Sequence, residues 1–589
     1  MQTSKNMTNQ QVAKLLKAVA AAYEIKKQNR FKVAAYQKAA TSVEQASSDI
    51  KDLWQEKHLT NLPGIGQNIA DHLDELFRTG KVKHFNQLFK DLPQGMFSLM
   101  DLSGVGPKTA HKLSQKLKLK TSATAVKKLG QLAKKGQISQ LEGFGPESEQ
   151  DLLKSIQEFS TRGKQRMLLP YAQTLANKII HYLKQSPAVL KVEPLGSLRR
   201  QLATIGDIDL AVATKNPQKA IKHFLKFPQI KKITDQGQKK LSLKLTTNQQ
   251  LDVRFHSPDE FGALLQHFTG SKSHNIHLRQ VAQQKGLSLS EYGIKTKAKL
   301  TKFPQEDQFY QALAMDWIPP ELREDQGEIE AAQKHQLPKL VQLTNIKGDL
   351  HVHTDFHFKT SHDLGTDSMK TLVKTAKQLK YQYLGFADHN PSFSSYSSQQ
   401  ITDVLKKRQQ AIEEFKSSSE KRVKILNLLE VDIQPNGNLA VPDKGLDQLD
   451  SAIAAIHSSF NQSQKTMTQR VLAGLSHPKV KIFAHPASRK INHRPAIDLD
   501  WEKLFDFCQK NQKILEINSW PDRLDLPDTL VRQTIKAGVK LVINTDAHAA
   551  DQLPLISYGV SVARRGWAQP KDIINTLPFK KLKSILKIK

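Results

Sequence analysis

"LGSLRRQLATIGDIDLAVAT", residues 195–214, sets two aspartates, Asp207 and Asp209, at the mouth of a strand as apolar as "IDLAVAT". Asp is a poor strand former, and two carboxylates one residue apart repel each other. In a strand, residues i and i+2 share a face, which puts this pair about 6–7 Å apart along the backbone. Asp252, in "LDVRF", offers a third carboxylate from another strand. Three converging carboxylates suit a hard divalent cation, Mg²⁺ or Mn²⁺, that shares its remaining positions with substrate phosphates. Two such ions activate an attacking hydroxyl and stabilise a leaving pyrophosphate. The Gly196 amide, the Ser197 hydroxyl and the Arg200 guanidinium, just upstream, are donors for a triphosphate tail.

The rest of the chain bears on what that site meets. At 589 residues it is too long for one ordinary domain, and three to five units are expected. A net charge of +32 and a pI near 9.8 favour a polyanionic partner. From residue 346 onward there are 36 Lys and Arg against 25 Asp and Glu, so +21 of the excess lies in residues 1–345. No apolar run approaches membrane-spanning length, and "MQTSKNMTNQQ" lacks a signal peptide's apolar core. Cys508 is the single cysteine, which fits a reducing cytoplasm. Any metal site must then use His, Asp and Glu.

The first 165 residues read as helical, and one pattern occurs three times: "LPGIGQNIADHL" from Leu62, "LSGVGPKTAHKL" from Leu102 and "LEGFGPESEQDLL" from Leu141. Each is an apolar residue, a Gly-x-Gly turn and a helix start. The glycines permit backbone angles that leave amides free at the helix N-terminus, an anion site. On a basic chain the anion is a DNA phosphate, held at Gly64, Gly66, Gly104 and Gly106. These turns look like helix-hairpin-helix motifs, and the acids of "PESEQ" make the third the weakest. The modules expected are 1–90 and 91–165, both helical; 166–260, a mixed sheet; 261–317; a Pro-rich, acidic linker at 318–345; and 346–589.

Beyond the linker, short apolar strands alternate with long helical stretches, the grammar of an α/β barrel. Ligand-type residues stand at the ends of those strands. They are His351 and His353 in "GDLHVHTD", Asp388 and His389 in "YLGFADHN", Glu430 in "ILNLLEVDI", His457 in "SAIAAIHSS", His485 in "KIFAHP", and Asp546 and His548 in "KLVINTDAH". With "ILEIN" that makes seven strands, whose C-terminal ends converge in such a barrel. So many ligands exceed one ion, and two or three are expected. Nitrogen-rich ligation without thiolate favours Mn²⁺, Zn²⁺ or Fe²⁺.

"GSLRR…GDIDLAV", "LDVRF" and "HFTGSKSHNIHLR" from His267 resemble the family X DNA polymerases, over about residues 1–320. "HVHT", "ADHN", "LEVDI", "AHP" and "NTDAH" are similar to a PHP domain, over about 346–589, and the order of the two resembles bacterial family X polymerases. The resemblance implies a multidomain α+β and α/β chain. It comprises helix-hairpin-helix domains, a nucleotidyltransferase palm with a mixed sheet, a thumb, and a distorted seven-stranded (β/α) PHP barrel. It implies Asp207, Asp209 and Asp252 as catalytic metal ligands, and Ser197 and Arg200 on the phosphates. Phe268 and Gly270 would lie on the nucleotide sugar, and Asn275 and Arg279 near the nascent pair and template.

The implied activity is a polymerase filling short gaps in DNA repair, with a PHP phosphoesterase acting as 3′-5′ exonuclease, 3′-end processor or abasic-site endonuclease. Its partners would be gapped or nicked duplex DNA and deoxynucleoside triphosphates, without a membrane, and the chain is expected to be a monomer. The competing readings are a DNA-tethered PHP phosphatase and a DNA-end scaffold with an inactive polymerase site. The chain departs from the family pattern in three places. His267 replaces a Tyr found in many relatives. His72 stands where lyase-active relatives have a Schiff-base lysine, with Lys81 and Lys83 nearby. Phe358 stands where the first PHP motif usually has a ligand Asp. There an enlarged loop is expected to return Asp363 as the ligand, with Asp355 as the alternative and His357 and His362 as solvated loop residues. The basic end "FKKLKSILKIK" reads as the solvated face of a last helix.

Overall fold

The computed structural model describes the whole chain except residues 1–6, 8, 46–49, 56, 58, 63, 103, 120, 163–165, 298, 419–421 and 589. It divides into two compact units, Met1–Gln165 and Arg166–Lys589.

The first unit is helical. Its helices Asn9–Ile25, Arg30–Gln45, Gln67–Thr79, Pro107–Lys116 and Ser122–Lys134 bury their apolar stripes in one cluster that runs from Val12 to Leu152. The two helical modules read from the sequence therefore share a core. The three Gly-x-Gly turns have a common geometry. Gly64, Gly104 and Gly143 take φ of +85°, +81° and +81°, and Gly66 and Gly106 are the N-caps of the helices that follow. Pro63 and Ser103, inside two of these motifs, lie outside the described residues. In the third turn Glu149 is spent on its own fold, accepting from the amides of Ile138 and Ser139 at 2.7 and 2.9 Å.

The second unit begins with a five-stranded sheet. Its strand order is Lys191–Pro194, Ile208–Ala213, Gln250–His256, Lys240–Leu245, Ile230–Gln236. The pair Ile208–Ala213 and Gln250–His256 is parallel and the other neighbours are antiparallel. Period-two alternation sorts the faces. Leu210, Val212, Leu251, Val253 and Phe255 pack under helices Leu169–Lys184 and Pro217–Phe224. Asp209, Asp252 and Arg254 fall on the opposite face.

Residues 261–311 form helices Phe261–Thr269, Lys272–Gln284 and Glu306–Gln311 with a small three-stranded sheet. The stretch 318–345, expected as a linker, is not a loose tether. Ile318, Leu322, Ile329, Ala332 and Leu340 complete the core of that module, and Arg323 is fully buried. Its acidic, weakly periodic sequence hid this, because single apolar anchors carry no repeat.

The C-terminal module is built of parallel strands in two sheets, one of three and one of five. The expected third strand, "ILNLLEVDI", is broken into Lys424–Asn427 and Glu430–Asp432, so eight segments stand where seven were read. The chain crosses from one sheet to the other at Leu428–Leu429. Isolated parallel bridges, His389 to Glu430 and Val352 to Ala547, join the sheets at two seams. The last helix, Phe579–Leu586, is more than a solvated face. Leu582 and Leu586 are buried against Leu350, Leu428, Ile482 and Val542 between the sheets, while Lys580 and Lys581 face water.

Candidate active sites

The parallel register makes Asp209 and Asp252 direct neighbours, and Asp207 lies just ahead of the same strand. Burial, then the Asp252 charge, raises the pKa of Asp207, and the same two causes push Asp209 up to about 7. Three carboxylates gathered at one strand end, two of them raised by burial and a neighbouring carboxylate, are an oxygen donor set that fits a divalent cation. Ser242 Oγ and Gln250 Nε2, the latter at 3.0 Å, donate to Asp252 and fix its rotamer.

The Gly196 turn presses on this group. Leu195 N donates to Asp209 O at 2.8 Å, Gly196 has φ +55°, and a Cβ there would lie 2.7 Å from Asp209 Oδ2. Glycine is therefore needed for both space and backbone angle. Ser197 sits in the same turn, the short helix Gly196–Arg199.

Arg200 is held back from the turn. Its Nε donates to Glu324 at 2.9 Å and its Nη1 to the Thr269 carbonyl, and a Cβ on Gly270 would lie 3.1 Å from Nη1. Phe268 is covered by the Arg254 guanidinium at 3.7 Å, and Arg254 is also a charge neighbour of Asp209. Asn275 donates to the carbonyl of His267 at 2.7 Å and accepts from Gln266 at 3.0 Å. Arg279 is half-buried on the same helix. Arg254, Ser242 and Glu324 were missed from sequence. The first two lie beside Asp209 and Asp252 by alternation and pairing, a signal the sequence did contain.

In the helical unit, His72 Nδ1 is 2.7 Å from Tyr36 Oη, and its ring lies parallel to His84 with centroids 5.1 Å apart. Burial, then His84, lowers its pKa. Lys81 and Lys83 are exposed.

The second site lies at the C-terminal ends of the parallel strands. Ligand-type atoms fall into overlapping groups within 4.8 Å: His351, His353, Glu430 and Asp546; His353, His389 and His548; His389, Glu430 and His457; and His362, Asp432 and His457. Glu430 is the hub. Its carboxylate lies 2.8 Å from His389 Nδ1, 2.9 Å from His485 Nε2, and 3.4 Å from both His351 Nε2 and His457 Nε2. Burial works to raise the Glu430 pKa, but the imidazoles of His389, His351 and His457 hold it well below the carboxylate range. Burial, then the rings of His548 and His389, presses His353 down to about 3.

Buried His351 Nε2 and His548 Nε2 make no hydrogen bond among the described residues, and His389 Nδ1 and Glu430 Oε2, 2.8 Å apart, are not well directed at each other. Imidazole nitrogens left without hydrogen bonds around a buried carboxylate fit a cluster of divalent ions. Outer partners orient the rings: Glu516 accepts from His351 Nδ1 at 2.8 Å, and Asp432 from His457 Nδ1 at 2.7 Å. Asp363 Oδ1 is 3.3 Å from His389 Nε2 and Oδ2 is 3.6 Å from His548 Nε2, so the enlarged loop does bring it to the cluster. Asp355 is exposed, and its amide donates to the Asp367 carbonyl.

One reading needs correction and one needs adding to. His362 is exposed, as expected of a loop residue, but it also faces the cluster: its Nε2 is 3.2 Å from Asp432 Oδ1 and its ring 4.3 Å from that of His457. Asp388 faces away from the cluster, paired at 2.7 Å with the fully buried Arg408 and accepting from the Thr354 amide. The sequence reading also missed Asp432, Glu516 and Arg523. Asp432 stands two residues past Glu430 on one strand, which was a usable signal. Above the cluster a cleft of about 600 Å³ is lined by Asp363, Phe460, Lys490, Arg494, Trp520 and Arg523 among others. Its basic and aromatic rim suits a nucleic-acid strand.

The fold and sites thus define a nucleotidyltransferase core, with thumb and helix-hairpin-helix turns, joined to a histidine-rich phosphoesterase module. Residues 264–324 match the DNA polymerase beta thumb, 7–82 a helix-hairpin-helix domain, 97–158 a SAM-like helix-hairpin-helix tandem and 349–520 the PHP domain. The DNA polymerase/3'-5' exonuclease PolX of Bacillus subtilis (strain 168) is 33% identical over 587 residues, covering 99% of this chain and 100% of the relative. The DNA polymerase lambda of Arabidopsis thaliana is 26% identical over 333 residues, 49% of this chain and 57% of that protein. The chain belongs to the bacterial family X DNA polymerases that carry a C-terminal PHP domain.

Proposed function

We propose that this chain is a DNA-directed DNA polymerase that fills short gaps during repair, with a 3′-5′ exonuclease in its PHP module. The observation that carries the reading is the pair of separate ligand sets in one chain: the carboxylates Asp207, Asp209 and Asp252 against the Gly196 turn, and the histidine cluster around Glu430.

In the polymerase site Asp207, Asp209 and Asp252 hold Mg²⁺ or Mn²⁺. The Gly196 amide, Ser197 and Arg200 orient the triphosphate, Phe268 and Gly270 bound the sugar, and Asn275 and Arg279 face the nascent pair. In the PHP site His351, His353, Asp363, His389, Glu430, His457, His485, Asp546 and His548 hold two or three ions of Mn²⁺, Zn²⁺ or Fe²⁺. When bound, such ions supply Lewis-acid stabilisation of charge on the reacting phosphoryl group. Glu516 and Asp432 accept from Nδ1 of His351 and His457 and so keep the Nε2 atoms of both rings turned toward the centre. Lys490, Arg494 and Arg523 receive backbone phosphates, and Trp520 and Phe460 offer faces to an unstacked base.

The turns at Gly64, Gly66, Gly104 and Gly106 grip gapped or nicked duplex DNA by its backbone. A Cβ at Gly104 or Gly106 would meet nothing within 4 Å, which leaves room for a phosphate. No described helix is long and apolar enough to cross a membrane. A monomer working in the cytoplasm completes the reading.

The test is extension of a primer across a one-nucleotide gap with Mg²⁺ and the four deoxynucleoside triphosphates, followed by digestion of a 3′ end with Mn²⁺ alone. Both products are expected. A chain that degrades 3′ ends but adds no nucleotide is the DNA-tethered phosphoesterase instead.

A further inference from the structure

Arg200, read above as a ligand of the triphosphate, is not a free cation. Its side chain is 12% exposed and its Nε is bonded to Glu324 Oε1 at 2.9 Å. The same oxygen is 3.1 Å from Nη1 of Arg565, the last residue of helix Ile556–Arg565 in the PHP module. That Nη1 also donates to the Arg200 carbonyl at 2.9 Å, and Arg565 Nη2 pairs with Asp528 at 2.6 Å. One carboxylate is thus shared between an arginine of the nucleotide site and an arginine of the other catalytic module.

The docking around this group is specific. Arg564 Nε donates to Glu321 at 2.7 Å, and Ser561 Oγ to Gln201 Oε1 at 3.3 Å, one residue past Arg200. Glu324 belongs to the strap at Pro320–Leu322 and beyond, where the Arg323 carbonyl accepts from Ser271 N at 3.0 Å at the head of the helix bearing Asn275 and Arg279. Both guanidinium groups stay charged, Asp528 answers part of the Arg565 charge, and little water reaches the group to screen the pull of Glu324 on Arg200. Arg565 competes for that carboxylate, so Glu324 holds Arg200 less tightly while Arg565 is in place.

We propose that Arg565 of the PHP module, by competing for Glu324, sets how firmly that carboxylate holds the Arg200 guanidinium and so how freely Arg200 meets the incoming triphosphate. The PHP helix is then a positioning element of the polymerase site. The proposal rests on the assignment of Arg200 to the triphosphate.

Steady-state filling of a one-nucleotide gap by the full-length protein separates this role from simple packing, because two variants must move KM in opposite directions. Arg565→Ala hands Glu324 wholly to Arg200 and raises the KM for the nucleotide about tenfold, with a smaller change in kcat. Glu324→Gln removes the competitor and lowers KM below that of the wild type. The double variant resembles Glu324→Gln, and Arg565→Lys restores most of the wild-type KM. Mn²⁺-dependent 3′-end cleavage by Arg565→Ala stays at the wild-type rate. Should Arg565→Ala fold poorly, Arg565→Gln, which removes the charge and keeps more of the side chain's bulk, takes its place. A raised KM in both Arg565→Ala and Glu324→Gln, or no change in Arg565→Ala, overturns the proposal. If Arg200→Ala itself leaves KM unchanged, the assignment of Arg200 to the triphosphate fails and the coupling with it. A raised KM in Arg200→Ala beside an unchanged one in Arg565→Ala defeats the coupling alone.

Discussion

Asp363 is held at the PHP cluster by a loop of unusual length. Its two oxygens reach toward His389 and His548, whose rings come from different strand ends, although most of its side chain stays open to solvent. If it completes the metal shell, Asp363→Ala lowers the manganese bound per chain and slows 3′-end cleavage at least tenfold, while Asp355→Ala alters neither. Metal analysis of the purified variants beside the cleavage rate decides it, and equal losses in both variants would return the role to the loop as a whole. The retained order Ser, Asp, Gly made Asp363 readable in the sequence. His362, its neighbour, was not: a loop's path is set by tertiary contacts, here Asp432 and His457, and leaves no periodic trace. The strand-end residues that gather around Glu430 were legible because alternation and strand direction fix where such residues point. Asp388 shows the limit of that rule, since a buried Arg408 claimed it.

At the scale of elements, repetition was the most readable signal. The three Gly-x-Gly turns share one backbone geometry, as their repeat requires, with positive φ at the first glycine of each. Continuous apolar runs were read less well. "ILNLLEVDI" looks like one buried strand, yet hydrogen-bond partners on two sheets split it at Leu428 and Leu429. The last helix was read from its solvated face alone, for a related reason. Its lysines dominate the sequence, while the two leucines that close the space between the sheets carry the packing energy. Leu582→Ala is expected to destabilise the second unit by about 2–4 kcal/mol, and Lys580→Ala by less than about 0.5 kcal/mol, in urea unfolding followed by circular dichroism. Equal effects of the two substitutions would mean that the helix only rests on the surface.

Across the molecule, the charge asymmetry and the two sets of ligand-type residues pointed to DNA and to two chemistries; the carboxylates stand at the start of strand Ile208–Ala213, and the histidines at the C-terminal ends of parallel strands. The connection between them was the least legible part. Residues 318–345 read as a spacer because they are Pro-rich, acidic and weakly periodic, whereas Glu321 and Glu324 pair with Arg564 and Arg565, and Arg323 pairs with Glu306. An ion pair between distant segments has no signature in either segment alone. The strap joins the modules structurally, yet each candidate centre has its own set of ligand-type side chains. The measurement that tests this most directly runs both reactions on one gapped DNA with two single variants. Asp207→Ala should abolish nucleotide addition and retain Mn²⁺-dependent 3′-end cleavage, and His353→Ala should do the reverse. Loss of both activities in either variant, with its fold shown intact by circular dichroism, would contradict the account of two independent catalytic centres.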